Sequence, residues 1–193
     1  MEPYIILASG SPRRRELLER IGIGYHTLPV AVDETPEPGE GAEMFVLRMA
    51  LEKARRGYAA AEQQAPALGA DTAVVLDGEI FGKPGSEAEA HGMLERLSAQ
   101  THRVVTGVAL VDDREATRLS VSEVTLREIT AEERARYWAS GEPVDKAGAY
   151  AIQGRGGVFV EHLEGSYTGV MGLPLYETTL LLDKLEIPWR ERW

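Results

Sequence analysis

Short apolar runs and amphipathic segments alternate along the chain, and the alternation predicts a regular succession of strands and helices. Residues 4–8, 25–30 and 68–76 read as strands, the third ending in Asp77-Gly78. An Asp-Gly pair between apolar runs predicts a two-residue hairpin turn, with residues 79–82 as the return strand. Residues 104–111 and 119–126 predict a further antiparallel pair around Asp112-Asp113, and residues 158–163 a last strand. Helices are predicted over residues 12–21 and 43–61, the second with Val46, Leu47, Ala50, Leu51 and Ala54 on one face, and from a Ser86 cap to Leu97. Thr130-Ala-Glu-Glu133 reads as a capping box for a helix ending at Gly141, and a final helix runs from Pro174 to before Pro188. Helices mixed with hairpin-linked strands predict an α/β fold with a mixed, twisted sheet, unlike the strict β-α-β succession of a dinucleotide-binding domain.

One of these elements conflicts with helix electrostatics. Ser11 suits an N-cap and Pro12 the first helical position, which places Arg13, Arg14 and Arg15 in the first turn. That end already carries the positive pole of the macrodipole, so cations there are unfavourable by about a few tenths of a kcal/mol each. Free backbone N–H groups, Gly10 and guanidinium groups meeting at a strand-to-helix turn describe an anion site, most simply for phosphate.

The 193 residues are ample for one domain or two intimate lobes, and 44% hydrophobic with 27% charged residues is ordinary for a globular chain. The sequence contains no run of 18 apolar residues, and Met1-Glu-Pro leads into a short strand without a signal-peptide pattern, so the expected location is the cytoplasm, away from membranes. Cysteine is absent, which excludes disulfides, thiolate nucleophiles and cysteine-ligated metals. A net charge of -10 argues against a nucleic-acid polymer as partner but leaves room for a small anion at the arginine cluster.

Only four lysines are present, Lys53, Lys83, Lys146 and Lys184. A two-residue turn at Asp77-Gly78 pairs Leu76 with Glu79, Val75 with Ile80 and Val74 with Phe81, and by extension Thr72 with Lys83. That extension gathers Asp71, Thr72 and Lys83 at the open end of the hairpin, a combination suited to phosphate and metal chemistry. Asp71 follows Leu68-Gly-Ala in an otherwise apolar strand, where a carboxylate needs a partner. Lys53 lies at the margin of its helix's apolar face, as a snorkelling side chain or a phosphate contact. Glu34 leaves a strand into a proline-rich loop, where a metal-binding carboxylate is accessible, and Gln153 in the glycine-rich stretch offers the donor and acceptor needed to read a base edge. The four histidines lack ligand spacing and take no role.

Together these stretches resemble the Maf family of nucleoside triphosphate pyrophosphatases: L-A-S-G-S-P-R-R (7–14), the Glu34 loop, E-K-A (52–54), G-A-D-T (69–72), G-K-P (82–84), D-K-A-G-A-Y-A-I-Q-G (145–154) and S-Y-T-G-V-M-G-L-P (166–174). The resemblance covers the chain nearly end to end. It implies a single elongated two-lobed domain similar to inosine triphosphate pyrophosphatases, with a central cleft, and hydrolysis of a nucleoside triphosphate to monophosphate and pyrophosphate with Mg²⁺, Mn²⁺ or a similar divalent cation. By position, Ser9, Arg13, Arg14, Lys53 and Lys83 correspond to the triphosphate cradle. Glu34 and Asp71 correspond to the metal-binding and water-activating acids, with Asp71 as proton acceptor, so that Asp71, Glu34 and Lys83 form the catalytic set. Arg13, Thr72 and Gln153 correspond to positions linked to base selection, in the version similar to the branch acting on dTTP and UTP. Arg15 and Trp189 to Trp193 inherit no role. A homodimer is also implied. Two other readings stay open: nucleotidyl transfer to a phosphosugar, and a non-catalytic nucleotide-sensing regulator of cell division. Cellular purpose is open between cleaning of the nucleotide pool and control of division.

Overall fold

The computed structural model describes residues 5–192, so Tyr4 at the start of the first expected strand and Trp193 lie outside the described residues. The elements follow in the order β1 (Ile5–Leu7), α1 (Pro12–Arg20), β2 (Tyr25–Thr27), α2 (Ala42–Ala60), β3 (Ala67–Leu76), β4 (Glu79–Phe81), α3 (Glu87–Leu97), β5 (Thr101–Val111), β6 (Glu115–Leu126), α4 (Ala131–Ala139), β7 (Val160–Glu164), α5 (Tyr167–Met171) and α6 (Leu175–Lys184). Among the described residues seven strands form one mixed sheet in the order β2-β1-β3-β5-β6-β7, with β4 beside β3. The expected α/β class is what the chain adopts.

Most local signals act as expected. Asp77 and Gly78 both take positive φ (51° and 81°), the geometry of a type I′ turn, and the Leu76–Glu79, Val75–Ile80 and Val74–Phe81 pairs form. The Thr130–Glu133 capping box is complete in both directions, and Gly141 (φ 76°) lies just past the end of α4.

The differences have local causes. Ser11 does not cap α1 with its side chain; its N–H instead donates to Ser9 Oγ at 3.2 Å. β2 stops at Thr27, since Pro29 has no N–H to extend the ladder. β4 stops at Phe81, so the expected pairing of Thr72 with Lys83 is not made. The chain leaves the sheet at Gly82-Lys83-Pro84, Gly82 accepts a hydrogen bond from the Gly148 N–H (3.1 Å), and Thr72 stands opposite Thr106 on β5. β7 begins at Val160, because residues 155–159 coil into a 3₁₀ turn. The five-residue α5 is too short to show a helical period; Ser166 caps it by accepting from the Gly169 N–H at 2.9 Å.

Helix α2 covers one face of the sheet, with Phe45, Val46 and Met49 against Ala73, Val75 and Val105, and Ala50 and Ala54 against Ala109 and Val111. The opposite face carries two separate clusters. One joins α1 and α6 to Leu68, Val108 and Leu110; the other joins α3 and α4 to Val74, Val104 and Val124. Between them the long strands carry hydroxyls: Thr72 opposite Thr106, and Thr106 opposite Ser120. A polar belt thus separates the two apolar clusters on this face.

The approach of α2 depends on two glycines in the sheet. A Cβ at Gly69 would sit 2.1 Å from the Ala50 carbonyl oxygen and 2.6 Å from the Ala54 nitrogen; one at Gly107 would sit 2.5 Å from the Val46 carbonyl oxygen. Neither clash falls on the end of a flexible side chain, so the helix itself must move. Gly69→Ala and Gly107→Ala are each expected to lower unfolding free energy in urea by about 3 kcal/mol, the upper end of overpacking costs. Gly92→Ala is the control: nothing lies within 4 Å of its Cβ position in α3, and it should stabilise by about 0.5–1 kcal/mol.

Candidate active site

The site forms where one edge of β3 is left open. Parallel β1 pairs with β3 at residues 67–68, and antiparallel β4 pairs with it from Val74 onward. Between these two partners the edge from Gly69 to Ala73 has no neighbouring strand among the described residues, while β5 covers the other edge from Ala67 to Val75. The chain leaving β1, Ala8–Arg14, and the chain leaving β4, Gly82 and Lys83, both line this gap. A cleft of about 730 Å³ opens there, and every candidate residue named from the sequence lines it: Ser9, Arg13, Arg14, Glu34, Lys53, Asp71, Thr72, Lys83 and Gln153. Arg15 is outside the lining.

Successive β3 residues face opposite sides, so the open edge presents two different surfaces. Asp71 shares its face with Gly69 and Ala73, toward α2. There the Lys53 ammonium donates to Glu34 Oε1 at 2.6 Å and to Asp71 Oδ1 at 2.7 Å. Lys53 is only 8% exposed, so it is a buried cation held between two carboxylates and not a snorkelling side chain. The Lys53 hydrogen bond holds the Glu34 pKa below the ordinary carboxylate range against the opposing effect of burial, with Lys83 and Arg14 adding attraction.

Thr72 faces the other way, with α1 and α5. Arg14 Nε donates to the Gly172 carbonyl (2.8 Å) and its Nη1 to Ser9 Oγ (3.0 Å). Burial lowers the Arg14 pKa, and the neighbouring Arg13 acts in the same direction, while Asp71 and Glu34 oppose both. Arg13 reaches across the cleft to Asp145 at 3.7 Å, and Asp145 is also bonded by Lys146. The three-arginine turn therefore divides: Arg14 is built in, Arg13 spans the opening, and Arg15 stands apart.

Several positioning residues gave no sequence signal. Glu142 accepts from the Tyr137 hydroxyl (2.7 Å) and from the Gly156 and Arg155 N–H groups (3.0 Å each), which clamps the glycine-rich loop that carries Gln153. Burial works against this carboxylate, yet the three donors keep its pKa below the ordinary value. His102 was assigned no role, but it lies 2.8 Å from the hydroxyl of Tyr150 on the cleft wall, and burial pushes its pKa down to about 4. Such contacts join residues far apart in sequence, and only the register of the sheet reveals them.

The chemistry of the cleft is specific. Cations at both ends of an open edge suit a polyphosphate, and two carboxylates directed at one point suit a hard cation or a water. A family model described as Maf-like protein matches residues 4–185. A dTTP/UTP pyrophosphatase of Alkalilimnicola ehrlichii is 60% identical, over 99% of this chain and 97% of its own length. One of Methylococcus capsulatus, with the same description, is 56% identical, over 94% of this chain and 90% of its own. The solved structure of a nucleoside-triphosphatase / dITP/XTP pyrophosphatase from Mycobacterium abscessus aligns with 71% of this chain and 92% of its own, at 19% identity and a TM-score of 0.40.

The Lys53–Glu34 bond has a pH signature. A carboxylate with a depressed folded pKa contributes stability above its unfolded pKa and loses it as pH falls through the folded value. For Glu34 that loss begins near the ordinary glutamate pKa and continues below it. Lys53→Met removes the first cause of the depression and leaves burial opposing the charge. The Glu34 carboxyl is expected to titrate at higher pH in this variant, read by carboxyl ¹³C NMR, and its share of the acid-side stability slope should vanish.

Proposed function

The chain belongs to the Maf-like family, and from that premise we propose that it hydrolyses nucleoside triphosphates, dTTP and UTP foremost, to the monophosphate and pyrophosphate. The observation that carries the reading is the pairing, on one open strand edge, of a cationic cradle with two convergent carboxylates. A sensor needs only the cradle; the carboxylates add what turnover requires.

The reaction is attack of water on the α-phosphorus in line with the departing pyrophosphate. A P–O bond to water forms, the Pα–O–Pβ bridge breaks, and the water's proton is taken up. Little covalent work falls to the protein, so charge and position dominate. Arg13, Arg14 and Lys83 hold the β- and γ-phosphates and take the negative charge that develops on the leaving group. Ser9 fixes Arg14 through the Nη1 bond. Asp71 is the proton acceptor, and Glu34 holds the attacking water beside it.

A divalent cation, Mg²⁺ or Mn²⁺, belongs to this reading. Glu34 Oε1 and Asp71 Oδ1 already converge on one ammonium, and two carboxylates with substrate phosphates make a suitable oxygen set. When bound there, the ion would neutralise phosphate charge and polarise the phosphate oxygens. Lys53 balances the two carboxylates in the protein alone and lies within reach of the phosphates as they arrive. Among the described residues no helix is long and apolar enough to cross a membrane. The cytoplasm, which holds both nucleotides and the cation, is the proposed place of work.

The test is product analysis with UTP or dTTP, Mg²⁺ or Mn²⁺ and water alone. UMP or dTMP with pyrophosphate is the expected outcome. UDP with orthophosphate overturns the reading, idleness until a phosphosugar is added favours transfer, and tight binding without turnover favours a sensor. Asp71→Asn should lower kcat about 10²–10⁴-fold in protein that still folds by circular dichroism, with some loss of stability because Lys53 keeps only Glu34 as a charged partner, and a near-wild-type kcat would remove Asp71 from its role.

A further inference from the structure

Thr106 belongs to none of the motif stretches, yet it stands directly opposite Thr72 and is 1% exposed. Its hydroxyl lies between two oxygens, 2.8 Å from the Gly169 carbonyl and 3.0 Å from Thr72 Oγ1. A hydroxyl has one hydrogen, and a carbonyl oxygen only accepts. The Thr106 hydrogen is therefore on Gly169, and the Thr72–Thr106 bond must be donated by Thr72. That commits the single hydrogen of Thr72 inward, so Thr72 presents lone pairs alone to the cleft.

This polarity restricts what Thr72 can meet. A phosphate oxygen without a proton is an acceptor and finds nothing to bond there. The donors of a nucleoside triphosphate lie on its base and sugar. Thr72 also faces away from the Glu34–Lys53–Asp71 side, and its same-face neighbours along the sheet are Val74 and Val104, an apolar floor in the cleft suited to a flat ring. Arg14 is the nearby cation, with Nε and Nη1 already committed to Gly172 and Ser9.

We infer that Thr106, anchored on the Gly169 carbonyl, is a positioning residue that fixes Thr72 as an acceptor-only group and so selects a base with an N–H at that point: the imide N3–H of uracil or thymine, over cytosine, whose N3 is itself an acceptor. The inference rests on the pyrophosphatase reading above and adds to it a residue that need not touch substrate. It also gives the α5 segment a purpose. The capped turn from Ser166 holds the Gly169 carbonyl in place, and that carbonyl sets the direction of two hydroxyls.

The experiment compares wild type, Thr106→Val and Thr106→Ser in steady-state hydrolysis of UTP, CTP and N3-methyl-UTP. Valine keeps the shape and removes the hydroxyl, which frees Thr72 to turn its hydrogen toward the cleft. The UTP-to-CTP ratio of kcat/KM should fall about tenfold or more in Thr106→Val, mainly through KM, with kcat/KM for CTP rising in absolute terms. A damaged fold lowers every substrate and cannot raise one. Thr106→Ser should restore the wild-type ratio, and N3-methyl-UTP should be a poor substrate for the wild type. An unchanged ratio in Thr106→Val, with UTP and CTP falling together, overturns the inference. Wild-type turnover of N3-methyl-UTP equal to that of UTP also overturns it, since the donor would then be on the sugar. A wild type that cleaves neither nucleotide overturns the pyrophosphatase reading instead, and the UTP-to-CTP ratio of Kd in the same three proteins then decides the role of Thr106.

Discussion

The closeness of α2 to the sheet is the constraint on which the site depends. Lys53 sits in the helical turn whose backbone crosses Gly69, and Asp71 lies two residues further along the same strand face. With side chains at Gly69 and Gly107 the helix would stand off, and the Lys53 ammonium would no longer reach Asp71 from a buried position. A buried cation without anions is strongly unfavourable, so its depth calls for both carboxylates. Asp71 comes from the strand itself, whereas Glu34 must be brought in by a loop. The Lys53–Glu34 bond thus ties an exposed, proline-rich segment to the core, and a packing feature of two glycines becomes the electrostatics of the cleft.

The gap between β1 and β4 makes the second contribution. A fully paired β3 would bury Asp71 and Thr72 within the sheet, beside neighbouring strands. Left open over residues 69–73, the edge lets a ligand meet side chains from both faces of one strand. Adjacent residues then serve opposite purposes: Asp71 turns toward the carboxylate–lysine side and Thr72 toward the hydroxyl belt. In the proposed function, chemistry and recognition are thus separated by the pleat of a single strand and not by distance along the chain.

Local signals were legible in the sequence wherever a few consecutive residues determine the geometry. Asp77-Gly78 specified its turn, Thr130 to Glu133 specified a helix start, and the arginines that residues 7–14 place against the helix dipole include two, Arg13 and Arg14, that line the cleft. The resemblance carried the candidate set, and all of it lines the cleft. What stayed hidden depends on pairing across the sheet. Periodicity placed Lys53 at the edge of an apolar stripe and could not report that glycines draw that edge into the interior. Extending the hairpin ladder to Lys83 assumed that β4 continues, but the strand ends at Phe81 ahead of Gly82 and Pro84. Thr106 and Glu142 bond to partners 34 and 14 residues away, separations that no local pattern encodes.

Two backbone carbonyls near the end of the chain explain why a five-residue helix matters to a cleft whose arginines and convergent carboxylates come from the first half of it. Gly169 receives the hydrogen of Thr106, and Gly172 receives that of Arg14 Nε. One carbonyl orients the hydroxyl pair beside the apolar floor; the other orients the guanidinium beside Ser9. Both belong to α5 and its final turn, so a shift of this short element moves the acceptor side and the cationic side of the cleft together. Backbone acceptors cannot rotate, titrate or reverse their polarity as side chains do. In the proposed reaction, fixing both sides on one turn would hold the two ends of a bound nucleotide at a constant spacing, as in-line attack at a single phosphorus requires.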